Sequence, residues 1–243
     1  MRGVTGAPVR VRVASLVPSV TETLRAWGVE PVACTRFCPP PCEVTVGGTK
    51  DPDVAAIVRL APDLVVMNDE ENRAEDAAAL RAEGLVVHVV RVRSVEEVAP
   101  AMADLAVAAG LPSAPSDAAP STPSRLAPPA PRLRAFVPIW RRPWMTLNGD
   151  TYGSSLLQAI GVVNVFADHP DRYPAVSLAD AAARGPDVVL APSEPYPFGE
   201  RQRAELEQVA PMVAVDGQDL FWWGARTPSA MVRLDAVLAG VVA

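Results

Sequence analysis

In the stretch VGGTKDPDVAAIVRLAPDLVVMNDEENRAED, residues 46–76, an apolar run ends abruptly on acids, amides and a base. Asn68, Asp69, Glu70, Glu71, Asn72 and Arg73 are types suited to acid–base work, to metal-assisted work, or to contact with a bound molecule. Two readings follow. The acids fill the first turn of the next helix, where negative charge stabilises by about 0.3–1 kcal/mol. Alternatively, the strand is a pedestal that presents Asn68, Glu70, Glu71 and Asn72 to a ligand.

Upstream, Arg36, Phe37 and Cys38 follow the apolar segment PVACT, and Thr49 and Lys50 follow VGG. The glycine pair permits a tight turn or a close backbone approach to a ligand. Lys50 is the only lysine in the chain. Cys34, Cys38 and Cys42 stand four apart, without the two-residue gaps of zinc ribbons or iron–sulfur runs. Three cysteines within nine residues, an odd number, do not read as a disulfide framework. Cys34 is expected in the core, and Cys38 as a single ligand or reactive thiol. His88 reads as a packed strand residue, and His169, on a loop, as a weak metal ligand. The second half offers Trp140, Trp144, Asn148, Asp150, Tyr152, Tyr173, Glu194, Tyr196, Trp222, Trp223 and Arg226. Four of the five tryptophans lie there, beyond predicted strand ends, where they either bind a flat ligand or pack the fold. Arg226 beside two tryptophans suits a carboxylate or phosphate.

Positioning these groups requires alternating strands and helices. VRVASLV, PVACT, DLVVMN and VVHVV read as strands. Between them lie a helix opened by a Ser19–Glu22 capping box, then DPDVAAIVRLA and NRAEDAAALRAEG, and a helix runs from Ser94 to Gly110. LRAFVPIW, VVNVF, DVVLA and MVAV repeat the rhythm. The phrase APDLVVMNDEE is echoed by GPDVVLAPSEP. The expected class is α/β, with two Rossmann-like lobes of mostly parallel strands over 1–110 and 133–243. Between them, 111–132 carries seven prolines, which exclude a continuous helix at about 3 kcal/mol each. A single extended crossing is expected there.

The net charge of −6 and the lack of a basic run exclude a nucleic-acid partner. No signal peptide or membrane-spanning run is seen, so a cytoplasmic protein that is not membrane-embedded is expected.

RVASLVPSVTETLRAWG, TRFCPPP, VGGTKDPD and LAPDLVVMNDEENRAED in the first half carry a family resemblance. NGDTYGSSLLQAIGVVNVF, RYPAVSLADA, PDVVLAPSEPYPF and DGQDLFWWGAR continue it in the second. Together they resemble the helical-backbone metal receptor superfamily, the cobalamin-, haem- and siderophore-binding type of solute-binding protein, in a leaderless cytosolic branch. The resemblance implies a ligand cleft between two lobes, and a corrinoid, haem or metal chelate as ligand. It also implies permease docking through a glutamate on each lobe, with Glu75 and Glu200 as counterparts. The family's long backbone helix is where this chain departs, because prolines occupy its place. The leading expectation is a binding protein for a planar anionic ligand, with Arg36, Lys50 and Arg226 neutralising its acids. The alternatives are a cytosolic enzyme using Lys50, Glu71, Cys38 and Asp150, and a transporter's substrate-binding protein lacking its leader.

Overall fold

The computed structural model describes residues 11–115 and 130–241. These divide into two compact units, one of residues 11–91 and 100–115, the other of residues 92–99 and 130–241. Most of the expected proline crossing, 116–129, lies outside the described residues.

The chain runs β1 (Val13–Ser15), α1 (Pro18–Ala26), β2 (Ala33–Cys34), α2 (Val54–Leu60), β3 (Leu64–Asn68), α3 (Ala74–Ala82), β4 (Val87–Val90) and α4 (Val95–Ala108). It continues with β5 (Leu133–Phe136), α5 (Tyr152–Ala159), β6 (Val162–Asn164), α6 (Leu178–Ala183), β7 (Val188–Pro192), α7 (Glu200–Leu206), β8 (Met212–Val215), α8 (Gly217–Phe221) and α9 (Thr227–Ala239). The first sheet is ordered β2-β1-β3-β4 and the second β6-β5-β7-β8, every pair parallel. Counted from its own first strand, each sheet is 2-1-3-4. The repeated phrase in the sequence therefore marks equivalent strands, β3 and β7. Both are buried along their whole length, as parallel strands covered on two faces must be.

The sheets also begin alike. The Arg12 N–H donates to the Asp63 carboxylate (2.8 Å), and its guanidinium to the carbonyls of Ala61 (2.6 Å) and Leu60 (2.8 Å). In the second unit the Arg134 N–H donates to Asp187 (2.7 Å), and its guanidinium to the carbonyls of Gly185 (3.0 Å) and Arg184 (2.7 Å). Each arginine thus fastens the start of the first strand to the turn before the third. Leu16, Ile57, Val65, Met67 and Leu80 pack the first core, and Phe136, Phe166, Val189, Phe198 and Leu206 the second.

Three expectations need correction. Helix α1 begins at Pro18, with Val17 at the cap position making no side-chain hydrogen bond. Ser19 therefore lies inside the first turn rather than at the cap, its buried Oγ has no hydrogen-bond partner, and the Ser19–Glu22 box does not form. Asp69–Glu71 precede α3 rather than filling its first turn, where Glu75 and Asp76 stand instead. Finally, Cys34 and Cys42 form a disulfide, with Cα atoms 5.6 Å apart. After β2 the chain loops out through Pro39–Pro41 and returns alongside, Thr45 bridging Cys34 in parallel, which brings the two sulfurs together.

Candidate functional site

Ligands of parallel α/β units gather beyond the carboxyl ends of the strands, where the strand order reverses. In the first unit that point lies between β1 and β3, and amide side chains organise it. Asn68 Oδ1 accepts the N–H groups of Glu70 (2.8 Å) and Glu71 (3.1 Å), shaping the turn after β3. Asn72 Oδ1 accepts the Asn68 N–H (2.7 Å). Its Nδ2 donates to the carbonyls of Leu16 (3.1 Å) and Thr49 (2.9 Å). Three strand-end loops are tied by one buried amide.

Lys50 Nζ donates to the Glu70 carbonyl (2.6 Å), so the 49–50 turn is also fastened to the acidic loop. Gly47 holds φ at +81°, and a Cβ there would sit 2.4 Å from the Asp51 carbonyl. The glycine pair therefore serves a tight turn. That turn sets Asp51 against the Arg36 guanidinium (3.0 Å), which also lies 4.9 Å from the Phe37 ring. Arg36, Phe37 and Lys50 face outward, Thr49, Glu70 and Glu71 are half-buried, and Asn68, Asn72 and Cys38 are enclosed. The Cys38 thiol lies against the hydroxyls of Thr21 (3.2 Å) and Thr35 (3.4 Å).

In the second unit the reversal lies between β5 and β7, and aromatic rings cover it. After β5 the chain makes a turn closed by Ile139 N–H to Met145 O (2.9 Å) and Met145 N–H to Trp140 O (3.1 Å). This sets Trp140 and Trp144 on its two arms. After β7 come Tyr196 and Phe198. Trp140 meets Tyr196 edge-on at 5.6 Å, Tyr196 meets Phe198 at 4.7 Å, and Phe198 stacks on Trp144 at 5.9 Å. Arg141 lies 5.7 Å from the Trp144 ring and is held by Glu205 (3.2 Å from Nε). Trp140 stays 46% exposed, giving this shelf an open aromatic face.

Beside it, Asn148 is buried and donates to the His169 carbonyl (2.8 Å) while accepting the Asp150 N–H (2.8 Å). The Asp150 carboxylate receives Arg93 (3.1 Å) and Arg172 (3.5 Å). The Tyr152 hydroxyl, 2.9 Å from Thr227 Oγ1, is buried, and burial pushes its pKa far up. Beyond β8 the small helix α8, not foreseen in the sequence, is capped by Asp216. It places Trp222 so that its indole N–H donates to Glu194. Arg226 lies 5.1 Å from the Trp222 ring but spends its guanidinium on Asp219 (2.9 Å) and Gln218 (3.1 Å). Arg233 completes a pair around the buried Asp219 (2.6 Å), and the two arginines hold that carboxyl below its usual range, Arg233 foremost. Glu194 goes the other way. Burial raises its pKa, with Asp216 adding to the effect and the Trp222 indole opposing it.

The four second-half tryptophans thus divide. Trp140 and Trp144 form the shelf, while Trp222 and Trp223 are enclosed. Tyr173 is exposed, and His169 keeps its Nδ1 on the Asp171 N–H (3.1 Å). Half-buried His88 sits in β4, and burial lowers its pKa. Among the described residues, no three His, Cys, Asp or Glu side chains form a group that could hold a metal ion. Sequence reading missed Arg93, Arg141, Arg172, Phe198 and Asp219. Arg93 and Phe198 were within reach of the strand-end rule, following β4 and β7 by a few residues. Asp219 was hidden in a helix too short to read.

Comparison with known proteins adds the following. A family model described as "Periplasmic binding protein" matches residues 13–211. A vitamin B12-binding protein of Salmonella paratyphi A is 28% identical over 189 residues, covering 74% of this chain and 71% of that protein. Among solved structures, the periplasmic vitamin B12 binding protein of Vibrio cholerae superposes with a TM-score of 0.79 at 24% identity, covering 96% of this chain and 98% of its own. A periplasmic heme-binding protein in complex with two hemes superposes with a TM-score of 0.78 at 21% identity, covering 96% and 99%.

Proposed function

The chain belongs to the periplasmic binding protein family, within the helical-backbone metal receptor superfamily, and on that premise we propose that it is a cleft-type binding protein for a corrinoid, tetrapyrrole or similar planar metal chelate bearing acidic groups. One observation carries this reading. Trp140, Tyr196, Phe198 and Trp144 form a linked set of rings at the carboxyl ends of β5 and β7, and its outer ring is open. A planar conjugated ligand gains stacking and apolar burial on such a surface. Within the first unit, taken by itself, Arg36 and Lys50 at the strand ends are cations suited to carboxylate or phosphate groups. Arg226 contributes less, because its pair with Asp219 is enclosed, whereas the Arg36–Asp51 pair lies open to solvent.

The relatives named for vitamin B12 and heme support the ligand class. No helix among the described residues is long and apolar enough to cross a membrane. Permease docking remains part of the proposal. Glu75 and Glu200 stand in the first turns of α3 and α7, the helices after the third strand of each unit, which makes them equivalent candidates. A cytoplasmic location is likewise a proposal, and the cysteines test it. Rapid alkylation in cells should find Cys34 and Cys42 as free thiols if the protein is cytoplasmic, and bonded if it resides in an oxidising compartment.

The ligand itself is tested by native mass spectrometry and an absorption spectrum of freshly purified protein. A bound pigment adds its mass and a visible band. A colourless protein that takes up neither hemin nor cyanocobalamin from solution overturns the proposal.

A further inference from the structure

The loop between β2 and α2 carries Arg36 and Phe37 at its tip, and three sulfurs lie at its base. Cys34, Cys38 and Cys42 form one buried cluster, with accessibilities of 0%, 2% and 6%. Cys34 and Cys42 are joined, and Cys38 is free. The residues in between are mostly at the surface. Arg36, Phe37 and Pro39–Pro41 are exposed, Phe37 by 52%, so little apolar packing holds the tip. Its other ties are polar. The Arg36 N–H donates to Gly47 O (2.9 Å), Arg36 pairs with Asp51, the Arg25 guanidinium donates to Pro40 O (2.6 Å), and Cys38 rests on two threonines.

We propose that the Cys34–Cys42 bond is a reducible clasp that sets the presentation of Arg36 and Phe37, and so makes ligand affinity depend on redox state. The idea rests on the binding function proposed above. The chemistry is a two-electron exchange with a small dithiol. One thiolate of the donor attacks the Sγ of Cys42, the less enclosed of the two bonded residues, forming a mixed disulfide and expelling Cys34 as a thiolate. The donor's second thiol then closes its own disulfide and releases Cys42. Two electrons leave the donor, and both cysteines end protonated. The Cys42 N–H already donates to Cys34 Sγ (3.1 Å), which stabilises the leaving thiolate. The Arg25 guanidinium lies 3.5 Å from Cys42 Sγ and favours negative charge at the attacked end. Once the bond is broken, the nine-residue loop loses its covalent closure, and an exposed tip held mainly by polar ties samples more conformations.

Two readouts test this on the intact chain, oxidised or reduced with dithiothreitol and alkylated for mass analysis. Hydrogen exchange in 35–43 should rise about tenfold or more on reduction, read at labelling times short enough that β1 and β3 stay unexchanged in both states. Hemin affinity, measured by tryptophan quenching, should fall about tenfold, and Cys42→Ser should match the reduced protein whether or not dithiol is present. Unchanged exchange in 35–43 despite two newly alkylated cysteines overturns the clasp. So does hemin binding that is equal in both states, or a bond that dithiothreitol leaves intact in the folded protein. If neither state binds hemin or cyanocobalamin, the binding function fails by itself, and the exchange measurement still decides the clasp.

Discussion

Asn72 sits 6% exposed among three loops, and its side chain makes three hydrogen bonds, to Leu16, Thr49 and Asn68. Removing a buried partner strands the groups it served, so Asn72→Ala should cost about 3 kcal/mol. Urea unfolding at an unchanged slope checks this. Its sequence neighbourhood shows an amide after a strand but not the carbonyls it meets, because those come from 23 and 56 residues away. Glu194 gives a pH prediction. Its folded pKa is raised, so its stabilising contribution is complete below the ordinary carboxylate value and is lost as pH rises through the raised one. Glu194→Gln keeps an acceptor for the Trp222 indole and carries no charge. The variant should therefore gain stability over the parent at neutral pH, and that gain should vanish as pH falls toward the ordinary carboxylate range. Chemical unfolding at a series of pH values reads the difference. A gap that widens on acidification contradicts the assignment.

At the level of elements, the shelf separates contact from support. Trp140 is the open ring and Phe198 the buried one, 7% exposed. Trp140→Ala should shift stability by less than about 1 kcal/mol and weaken ligand binding about tenfold, a change equivalent to about 1.4 kcal/mol. Phe198→Ala should cost about 3–5 kcal/mol by leaving a cavity under the shelf, seen as a lowered melting temperature. Reducing the Cys34–Cys42 bond should remove about 2–3 kcal/mol, the chain-entropy value for so small a loop. Strand β3 was legible because a short, unbroken apolar run between a proline and a polar cluster fits a strand buried on both faces. The division of the tryptophans was not, since Trp140 and Trp222 look alike in sequence, and it is the end of α8 that sets the second against Glu194 and Arg226. The disulfide was equally hidden. Three evenly spaced cysteines around three prolines say nothing of the parallel return that brings Thr45 back to Cys34.

Over the whole molecule, the internal echo of two short phrases proved to be a duplication of topology, down to the arginine clamps at Arg12 and Arg134. Fold was readable because it rests on periodicity and burial, which the longer helices and the buried strands restate. The site was only partly so, because two copies of one frame carry different chemistry at their strand ends: a lysine after β2 and amides and acids after β3, aromatic rings after β5 and β7. The aromatic strand ends of the second unit, taken by themselves, suit the flat apolar body of a ligand. The central claim is that the aromatic end of the second unit takes up that flat body. The most direct test is tryptophan fluorescence titrated with hemin and with cyanocobalamin, comparing the parent chain with Trp140→Ala. Saturable one-to-one quenching by at least one of them, weakened about tenfold in the variant, is the predicted result. Linear, non-saturating quenching that is identical in both proteins would contradict it.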